Sequence, residues 1–545
     1  MLQLQTWQRI LLVAILGAWA ALFRLGNLDQ VPPGLFIDEA QDGLDASAIL
    51  RGERFPVVVE IGAIKGRSRE ALFHYLVAGF FRIAGTSVHS LRLTVALIGI
   101  ATVITLFFLV EPILGPHLAF IASLLLAVCR WHVTVSRVAV RAVLVPLFVV
   151  LVLLACLHLA RRRTLGAAIL LGSVLGLGFY TYPAYWIVPP ALALCLAVAV
   201  AAKRFRPTAA DAKLALASLL ALLAADVPLI HYALTRPDYF FARALEVATP
   251  VVGREAGILS LLANLRRVLL MFHLRGDPVP MYNIPGRPLL DPLTGIAFLL
   301  GLVWIIKRGR RRPVLSFALL AFWFLPLLPA VFSNFYASAL RSVGSIPAIC
   351  VISAIGLVAV SDWVASRWPR RGSLIATSLQ SLVLLAVAGL NYHAYFFDFA
   401  RNQEVAGSYS ADIPQLFSLC ARLAEQQDVY LSPYLYDAPA VRFLLLERPA
   451  PLHLLHRPEA LVAPVTPLRD RVLVSDTPAL NQVLMQLYPN HEIIGRYSVW
   501  GKHQGVIMKV DRRQIPSQLS AGQRAATEQA FQILLAERQA RSLRW

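Results

Sequence analysis

The sequence predicts a polytopic α-helical membrane protein with about eleven transmembrane helices and a small α/β domain at its C-terminal end. Hydrophobic residues make up 58% of the 545 residues and charged residues only 15%, against about 25% charged residues in soluble globular chains. The hydrophobic residues also form runs long enough to cross a bilayer. Such runs must be helical, because lipid offers no partners to backbone N–H and C=O groups. After residue 393 the pattern changes to alternating strand-like and helical stretches.

Eleven apolar segments make up the predicted membrane part. Each is about 17 to 23 residues long, the length that a helix needs to cross the hydrocarbon core. The segments are residues 8–25, 88–110, 117–133, 141–160, 165–181, 184–202, 213–234, 290–307, 314–332, 343–362 and 373–393.

Basic clusters predict the orientation of these segments. The clusters at 161–163, 203–206, 307–312 and 367–371 all follow even-numbered segments. Because cytoplasmic loops carry the excess of lysine and arginine, we expect a cytoplasmic N-terminus and an extracytoplasmic C-terminal region, in a multi-pass protein of the cell (inner or plasma) membrane. Ala18-Trp19-Ala20 resembles a signal-peptide cleavage site, but the N-terminal part of the first segment carries only one charge, Arg9, which favours an uncleaved helix.

The net charge of +20 would suggest nucleic-acid binding in a soluble protein. Much of this charge lies directly after apolar segments, where it sets topology. We therefore predict the lipid bilayer, and no nucleic acid, as a partner. The five cysteines show neither metal-ligand spacing nor a disulfide framework, and we interpret them as small buried hydrophobic residues.

Three regions outside the membrane are too long to be simple connections, and long loops are usually functional. Residues 26–87 and 235–289 are predicted to form an active site within a membrane domain of residues 1–393. Residues 394–517 are predicted to form an extracytoplasmic α/β domain, and residues 518–545 an amphipathic helix with a basic face. The domain prediction rests on strand-like runs at Val429–Ser432, Val441–Leu446, Arg471–Ser475, Glu492–Val499 and Gly505–Val510, and on a helical stretch at Pro478–Leu487.

The first external loop carries a cluster of acids just outside the first segment. Asp38, Asp42 and Asp45 recur at i, i+4 and i+7, so that on a helix they would share one face. Crowded carboxylates repel one another, and a fold that keeps them must supply cations, a metal or a catalytic use. A structural alternative is open, because Asp38 with Gln41 also fits a helix N-cap and capping box.

This loop and several later segments resemble the type-C membrane glycosyltransferases that use dolichyl- or undecaprenyl-phosphate sugars. That family includes protein O-mannosyltransferases, the aminoarabinose transferases of lipid A and many bacterial relatives. The similar segments are Asp38-Glu39, Gly66 to Leu76 (GRSREALFHYL), Gly85 with Leu91-Arg92-Leu93, Arg130 to Arg137 (RWHVTVSR), Phe179 to Tyr182 (FYTY), Arg275-Gly276-Asp277, Asn283 to Asp291 (NIPGRPLLD) and Leu340-Arg341-Ser342. The resemblance covers roughly residues 8–395 and implies a GT-C fold.

The resemblance implies a hexosyl or pentosyl transferase of cell-envelope glycan synthesis. Its donor would be a polyprenyl-phosphate-linked sugar, and its acceptor an extracytoplasmic lipid, glycan or protein. Phosphate is an adequate leaving group once cations hold its charge, so that one base is required. Asp38 matches the first acid of the family's pair and is the predicted base, acting in a direct displacement with inversion. Glu39 is expected to orient the acceptor or support the loop, and Glu70 to hold the acceptor or a divalent cation.

The donor phosphate is predicted to meet arginines near the external membrane surface, because a guanidinium donates two parallel hydrogen bonds. The candidates are Arg137, Arg141, Arg275, Arg287 and Arg341, and the candidate substrate-binding residues are Asp42, Tyr182, Asp277 and Asn283. For any single arginine, an interfacial position is the commoner role. His74 follows Glu70 by four residues and on one helix could share a metal with it, but we predict no metal and no required cofactor.

Two other functions are compatible with a membrane protein of this kind. One is a transporter or flippase for a lipid-linked sugar, and the other is a non-catalytic glycan-assembly protein on the same fold. Transporters usually place polar residues and broken helices at mid-membrane. The apolar segments and the acids of the external loop therefore favour an enzyme.

Overall fold

A computed structural model of the chain describes residues 5–60, 68–241, 258–333, 338–368, 370–455, 461, 469–476, 478–499, 503–515 and 518–542. The described α-helices in chain order are α1 (Thr6–Leu25), α2 (Ile37–Leu50), α3 (Leu72–Ala84), α4 (Val88–Leu114), α5 (Pro116–Val128), α6 (Arg130–Val135), α7 (Leu144–Arg162), α8 (Leu165–Gly178), α9 (Val188–Ala201), α10 (Ala209–Thr235), α11 (Pro237–Phe240), α12 (Ile258–Leu270), α13 (Pro292–Arg308), α14 (Pro313–Phe324), α15 (Leu328–Val331), α16 (Ile346–Ala365), α17 (Gly372–His393), α18 (Gln403–Ser408), α19 (Asp412–Leu423), α20 (Pro433–Tyr436), α21 (Pro439–Glu447), α22 (Pro478–Leu487) and α23 (Ala521–Ser542). The described strands are β1 (Val58–Glu60), β2 (Ser68–Glu70), β3 (Asp428–Leu431), β4 (Leu452–Leu454), β5 (Arg471–Ser475), β6 (Glu492–Val499) and β7 (His503–Val510).

Eight helical segments of the described chain are long and apolar enough to cross a bilayer, with mean hydropathies of 1.6 to 2.9. Each of the eleven predicted segments overlaps a described helix, which confirms a polytopic helical membrane protein. Three of the eleven coincide with the shorter helices α5, α8 and α13, of 13, 14 and 17 residues. The total of eleven therefore stays a prediction.

The chain forms two compact units. The first consists of Met1–Leu28, Gly52–Gly79 and Arg92–Ala400, and the second of Asp29–Arg51, Phe80–Leu91 and Arg401–Trp545. The first unit contains most of the membrane helices. The second unit combines the acidic part of the first external loop with the C-terminal region.

Glycines set the closest helix contacts in the first unit. A Cβ on Gly172 of α8 would collide with the carbonyl oxygen of Ser218 in α10. A Cβ on Gly301 of α13 would likewise collide with the carbonyl oxygen of Ile352 in α16. Small residues let membrane helices approach each other in this way, because packing rather than hydrophobicity holds helices together in lipid.

The C-terminal region of the second unit contains a five-stranded sheet in the order β4-β3-β5-β7-β6. Strand β3 pairs parallel with β4 and β5, whereas β7 pairs antiparallel with β5 and β6. The sheet confirms the predicted small α/β fold of this region. Helix α23 packs against α22, and its Ala530 and Phe531 join a buried core that also contains side chains of the sheet. The side chains of residues 533–542, which would complete its predicted basic face, lie outside those that the structure describes.

The strand predicted at Val441–Leu446 is wrong, because these residues lie in helix α21. Ala440, Val441, Phe443 and Leu444 are buried there. Their spacing fits one face of a helix, and a short apolar run alone cannot distinguish a helix from a strand. Pro439 at the first helical position is a start signal that favours the helix.

Helix α2, which carries the acids of the first external loop, packs on α21 within the second unit. A Cβ on Gly43 would lie 2.5 Å from the Phe443 ring, so that only glycine allows this approach. Gly34, at the approach to α2, has a φ of +76° and lies against the backbone of Tyr409 and Ala411. Glycine adopts this φ without steric cost. The acidic helix is therefore held by residues of the C-terminal region.

Candidate active site

Glu70, Arg141 and Tyr182 lie together in the first unit. Glu70 ends strand β2, and Arg141 begins the short 3-10 turn that leads into α7. Glu70 Oε2 lies 3.5 Å from Arg141 Nε, and the two side chains are 10% and 17% exposed. The guanidinium carbon of Arg141 lies 5.5 Å from the centre of the Tyr182 ring. A carboxylate, a cation and an aromatic ring thus form one largely buried group.

The protonation of Glu70 reflects two opposing effects. Burial raises the pKa of its carboxyl, because a low-dielectric environment disfavours the charged form. The Arg141 guanidinium is the largest influence that lowers this pKa. Arg141 therefore favours the ionised form of Glu70 against the larger effect of burial.

A second carboxylate, Glu60, anchors the hairpin that carries Glu70. Glu60 in β1 lies opposite Ser68 in β2, two residues before Glu70. Glu60 Oε1 accepts hydrogen bonds from the Tyr232 hydroxyl at 2.9 Å and from Arg236 Nη1 at 2.8 Å. The sequence analysis missed this contact, because Glu60 and Tyr232 are 172 residues apart and no local pattern relates them.

Asp277 and Asn283 organise the loop before α13. Asp277 Oδ1 accepts a hydrogen bond from the Val279 N–H at 2.8 Å, and its Oδ2 accepts one from the Ala339 N–H at 2.7 Å. Asn283 donates to the Asp277 carbonyl oxygen at 2.9 Å and accepts from Arg130 Nη1 at 2.6 Å. Asp277 and Asn283 are both buried. Two of the four predicted substrate-binding residues, Asp277 and Asn283, are thus brought together, and both already hold the loop in place.

The charge of Asp277 is sensitive to pH. Burial raises the pKa of its carboxyl to about 6, although the two backbone N–H donors and the Arg341 guanidinium favour the ionised form. A carboxyl with such a pKa changes its charge close to neutral pH. The charge of this loop therefore changes as the pH passes through about 6.

Arg137 is fully buried and donates to backbone carbonyls. Its Nη1 and Nη2 lie 3.1 Å from the carbonyl oxygens of Phe23 and Asn27, respectively. The guanidinium also lies over the rings of Tyr395 and Phe396, 5.4 and 5.0 Å from their centres. These contacts tie α1 to the end of α17. Because these contacts already engage the guanidinium, Arg137 is a weaker candidate than Arg141 for binding the donor phosphate.

The remaining predicted arginines differ in their surroundings. Arg287 is 42% exposed in its side chain and pairs with Asp398 at 2.5 Å. Arg275 is exposed. Arg341 is partly buried and close enough to Asp277 to lower the pKa of that carboxyl. Their roles in donor binding stay predictions.

Helix α2 places the acids of the external loop on one face, in the second unit. The N-cap of α2 is Phe36 and has no side-chain capping bond, so that Asp38 is the second residue of the helix. The capping interpretation of Asp38 is therefore wrong. Asp38 is half-buried, whereas Glu39 and Asp42 are 0% and 3% exposed. Asp38 and Glu39 both lie in the first turn of α2.

His74 does not share a helix with Glu70. Glu70 lies in β2, whereas His74 lies in α3, which begins at Leu72. The i, i+4 geometry considered for a shared metal is therefore wrong. His74 is fully buried.

Comparison with known proteins identifies the fold. The family model for dolichyl-phosphate-mannose-protein mannosyltransferase matches residues 70–231, a segment that includes Glu70, Arg141 and Tyr182. No curated protein sequence matches the chain significantly. Among solved structures, ArnT from Cupriavidus metallidurans bound to undecaprenyl phosphate is similar over 94% of this chain and 100% of its own, with a TM-score of 0.55 at 14% identity. The chain has the type-C glycosyltransferase fold.

Two further structures agree with this result. The archaeal oligosaccharyltransferase AglB from Archaeoglobus fulgidus, in complex with an inhibitory peptide and a dolichol-phosphate, is similar over 80% of this chain and 64% of its own, with a TM-score of 0.50 at 14% identity. The arabinofuranosyltransferase AftD from Mycobacteria is similar over 95% of this chain and 40% of its own, with a TM-score of 0.50 at 15% identity. The GT-C fold implied by the sequence motifs is therefore confirmed.

Proposed function

We propose that this type-C glycosyltransferase transfers a hexosyl or pentosyl group from a polyprenyl-phosphate carrier to an extracytoplasmic lipid, glycan or protein, at the cell membrane. The fold and the matched family segment support sugar transfer. ArnT binds undecaprenyl phosphate and AglB binds a dolichol-phosphate in their solved structures. A carrier with an isoprenoid tail also needs a site beside the bilayer, which a polytopic protein supplies.

The buried group of Glu70, Arg141 and Tyr182 carries the proposal. Arg141 stands at the N-terminal end of the membrane helix α7, where the helix dipole adds to the attraction for an anion. A phosphate there would compete with Glu70 for the Arg141 guanidinium. Binding of the donor would then weaken the ion pair and free the Glu70 carboxylate to contact the sugar or the acceptor.

Asp38 is the proposed base. The acceptor hydroxyl oxygen attacks the anomeric carbon of the donor as Asp38 takes the hydroxyl proton. The bond between the anomeric carbon and the phosphate oxygen breaks, and its electron pair leaves with the polyprenyl phosphate. One displacement inverts the anomeric configuration. Glu39 and Asp42, buried on the same helix, are proposed to support Asp38 and to orient the acceptor.

The test is a transfer assay with the full chain in vesicles that contain lipid-linked sugars extracted from the source membrane and carrying a radiolabelled sugar. We expect the label to move from the lipid-phosphate fraction to a second product, with release of polyprenyl phosphate. Movement of the intact donor between leaflets would instead support a flippase. Retention of the label on the donor would support a non-catalytic protein.

Variants at the two ends of one helix localise the donor site. Arg141→Gln should raise the KM for the donor about tenfold, because one charge-assisted contact to phosphate is lost. The matched control is Arg162→Gln at the other end of α7, which should leave the KM unchanged. Equal KM values for the two variants would contradict a phosphate site at Arg141.

A further inference from the structure

An apolar groove lies between α4, α7 and α8 in the first unit. Its volume is about 360 Å³, within the range of small-molecule sites. Apolar side chains line most of it, including Phe108, Leu151, Leu170 and Val174. Phe108 is 38% exposed and Leu170 is 47% exposed, so that the groove is open along the surface that faces lipid.

One end of the groove is basic. His158 and Arg161 line it there, and Arg161 Nη2 lies 3.5 Å from the Pro112 carbonyl oxygen, at the outer limit of a hydrogen bond. Leu151 and Arg161 are ten residues apart on α7, about 15 Å along a helix axis. The groove therefore runs from a cationic end at the membrane surface into the hydrocarbon region.

Two arginines near this end of the helices form ion pairs with carboxylates. Arg9 pairs with Glu111 at 2.8 Å, and Arg163 pairs with Asp211. Among the residues that the structure describes, no carboxylate pairs with Arg161. The groove thus presents a positive charge to a ligand at its open end.

This groove is remote from the proposed donor site. Arg141 and Arg161 mark opposite ends of α7, about 30 Å apart along the helix, which matches the hydrocarbon thickness of a bilayer. The basic end of the groove therefore belongs to the leaflet opposite to that of Glu70 and Arg141. A lipid in this groove is not the sugar donor in its reactive position.

We propose that the groove binds an anionic phospholipid of that leaflet, with one acyl chain between α4, α7 and α8 and its phosphate on Arg161. An acyl chain matches the apolar walls, and the phosphate matches the cation at the surface. Basic pockets between transmembrane helices bind anionic head groups in this way. The proposal rests on the groove alone and does not depend on the transferase reaction.

The experiment is native mass spectrometry of the purified full chain in detergent, titrated with dioleoyl phosphatidylglycerol or with dioleoyl phosphatidylcholine. We expect one phosphatidylglycerol to bind more tightly than further lipids. Arg161→Ala should weaken this binding about fivefold, the effect of losing one basic contact with an anionic lipid. The weaker phosphatidylcholine binding should not change. Arg162→Ala, the adjacent exposed arginine outside the groove, is the matched control and should retain wild-type binding.

A second pair of variants tests the acyl-chain position. Leu170→Trp would fill the groove and should abolish the first binding step. The matched control is Ile169→Trp, which should not abolish it. Ile169 is as exposed as Leu170 and lies on the same helix, but it does not line the groove. Equal losses for Arg161→Ala and Arg162→Ala would overturn the proposal, since they would indicate a general charge effect. Wild-type phosphatidylglycerol binding by a folded Leu170→Trp variant would overturn it as well.

Discussion

Glu70 and Arg141 form an ion pair of 3.5 Å between the end of strand β2 and the start of helix α7. Burial raises the pKa of Glu70, and Arg141 opposes this shift. Glu70, whose pKa depends on Arg141, therefore lies next to the cation that is proposed to hold the donor phosphate. Both residues belong to the unit that contains most of the membrane helices.

The first prediction concerns the pH dependence of transfer. Arg141→Gln removes the charge that lowers the pKa of Glu70, so that this pKa should rise further and less Glu70 should be ionised at a given pH. The acidic limb of kcat/KM should therefore move to higher pH, as measured from about pH 5 to 9. Arg141→Lys keeps a positive charge and should restore the limb in large part. An unmoved limb in the Arg141→Gln variant would show that Glu70 does not act as an ionised group.

The second prediction concerns the hairpin that carries Glu70. Tyr232→Phe removes one of the two hydrogen bonds to Glu60. A bond of this kind, partly exposed, contributes about 1 kcal/mol, so transfer should fall several-fold and the backbone amides of Ser68–Glu70 should exchange hydrogen faster. Tyr180→Phe removes a comparable bond to the Ala225 carbonyl and should leave the exchange of β2 unchanged. Identical exchange of β2 in the two variants would argue against an anchoring role for Glu60.

The third prediction concerns the pH dependence of stability. Because the pKa of Asp277 in the folded protein, about 6, lies above its ordinary value, the protonated form favours folding. This contribution, about 3 kcal/mol, is fully present below pH 4 and is lost as the pH rises through 6. Asp277→Asn should remove it, so that the difference in Tm between wild type and variant changes between pH 4.5 and 7.5. A constant difference in Tm would contradict the buried, titrating carboxyl.

The fourth prediction concerns the support of the acidic helix. Phe443 is fully buried and packs against Gly43 of α2, so Phe443→Ala should loosen α2 and lower transfer at least tenfold. Phe531→Ala removes a buried ring of the same unit from the core beneath the sheet. Both changes should lower the free energy of unfolding by about 3–5 kcal/mol, but only Phe443→Ala should lower transfer per folded molecule. Equal losses of activity would indicate that α2 does not depend on α21.

Apolar runs predicted the membrane helices, because a bilayer imposes helical structure on any segment that crosses it. The motif order predicted the type-C glycosyltransferase fold. The bounds of β5, β6 and α22 also agree with their sequence patterns, whereas the helix at Pro439–Glu447 was mistaken for a strand since its apolar run is short.

Long-range contacts could not be predicted in the same way. The bonds from Tyr232 and Arg236 to Glu60 join residues more than 170 positions apart. The packing of Gly43 on Phe443 depends on a tertiary contact, and a lone glycine in a helix does not reveal its neighbour. Such contacts hold Glu60 and helix α2 in place.

The most direct test of the central claim is the transfer rate of purified Asp38→Asn protein. The amide keeps the shape of the carboxylate but cannot take a proton at neutral pH, so the rate should fall by about 10²–10⁴-fold while donor binding is retained. The matched control is Asp412→Asn, a half-buried acid in the first turn of α19 in the same unit, which should transfer sugar at the wild-type rate. Transfer by Asp38→Asn at the wild-type rate would contradict the assignment of Asp38 as the base.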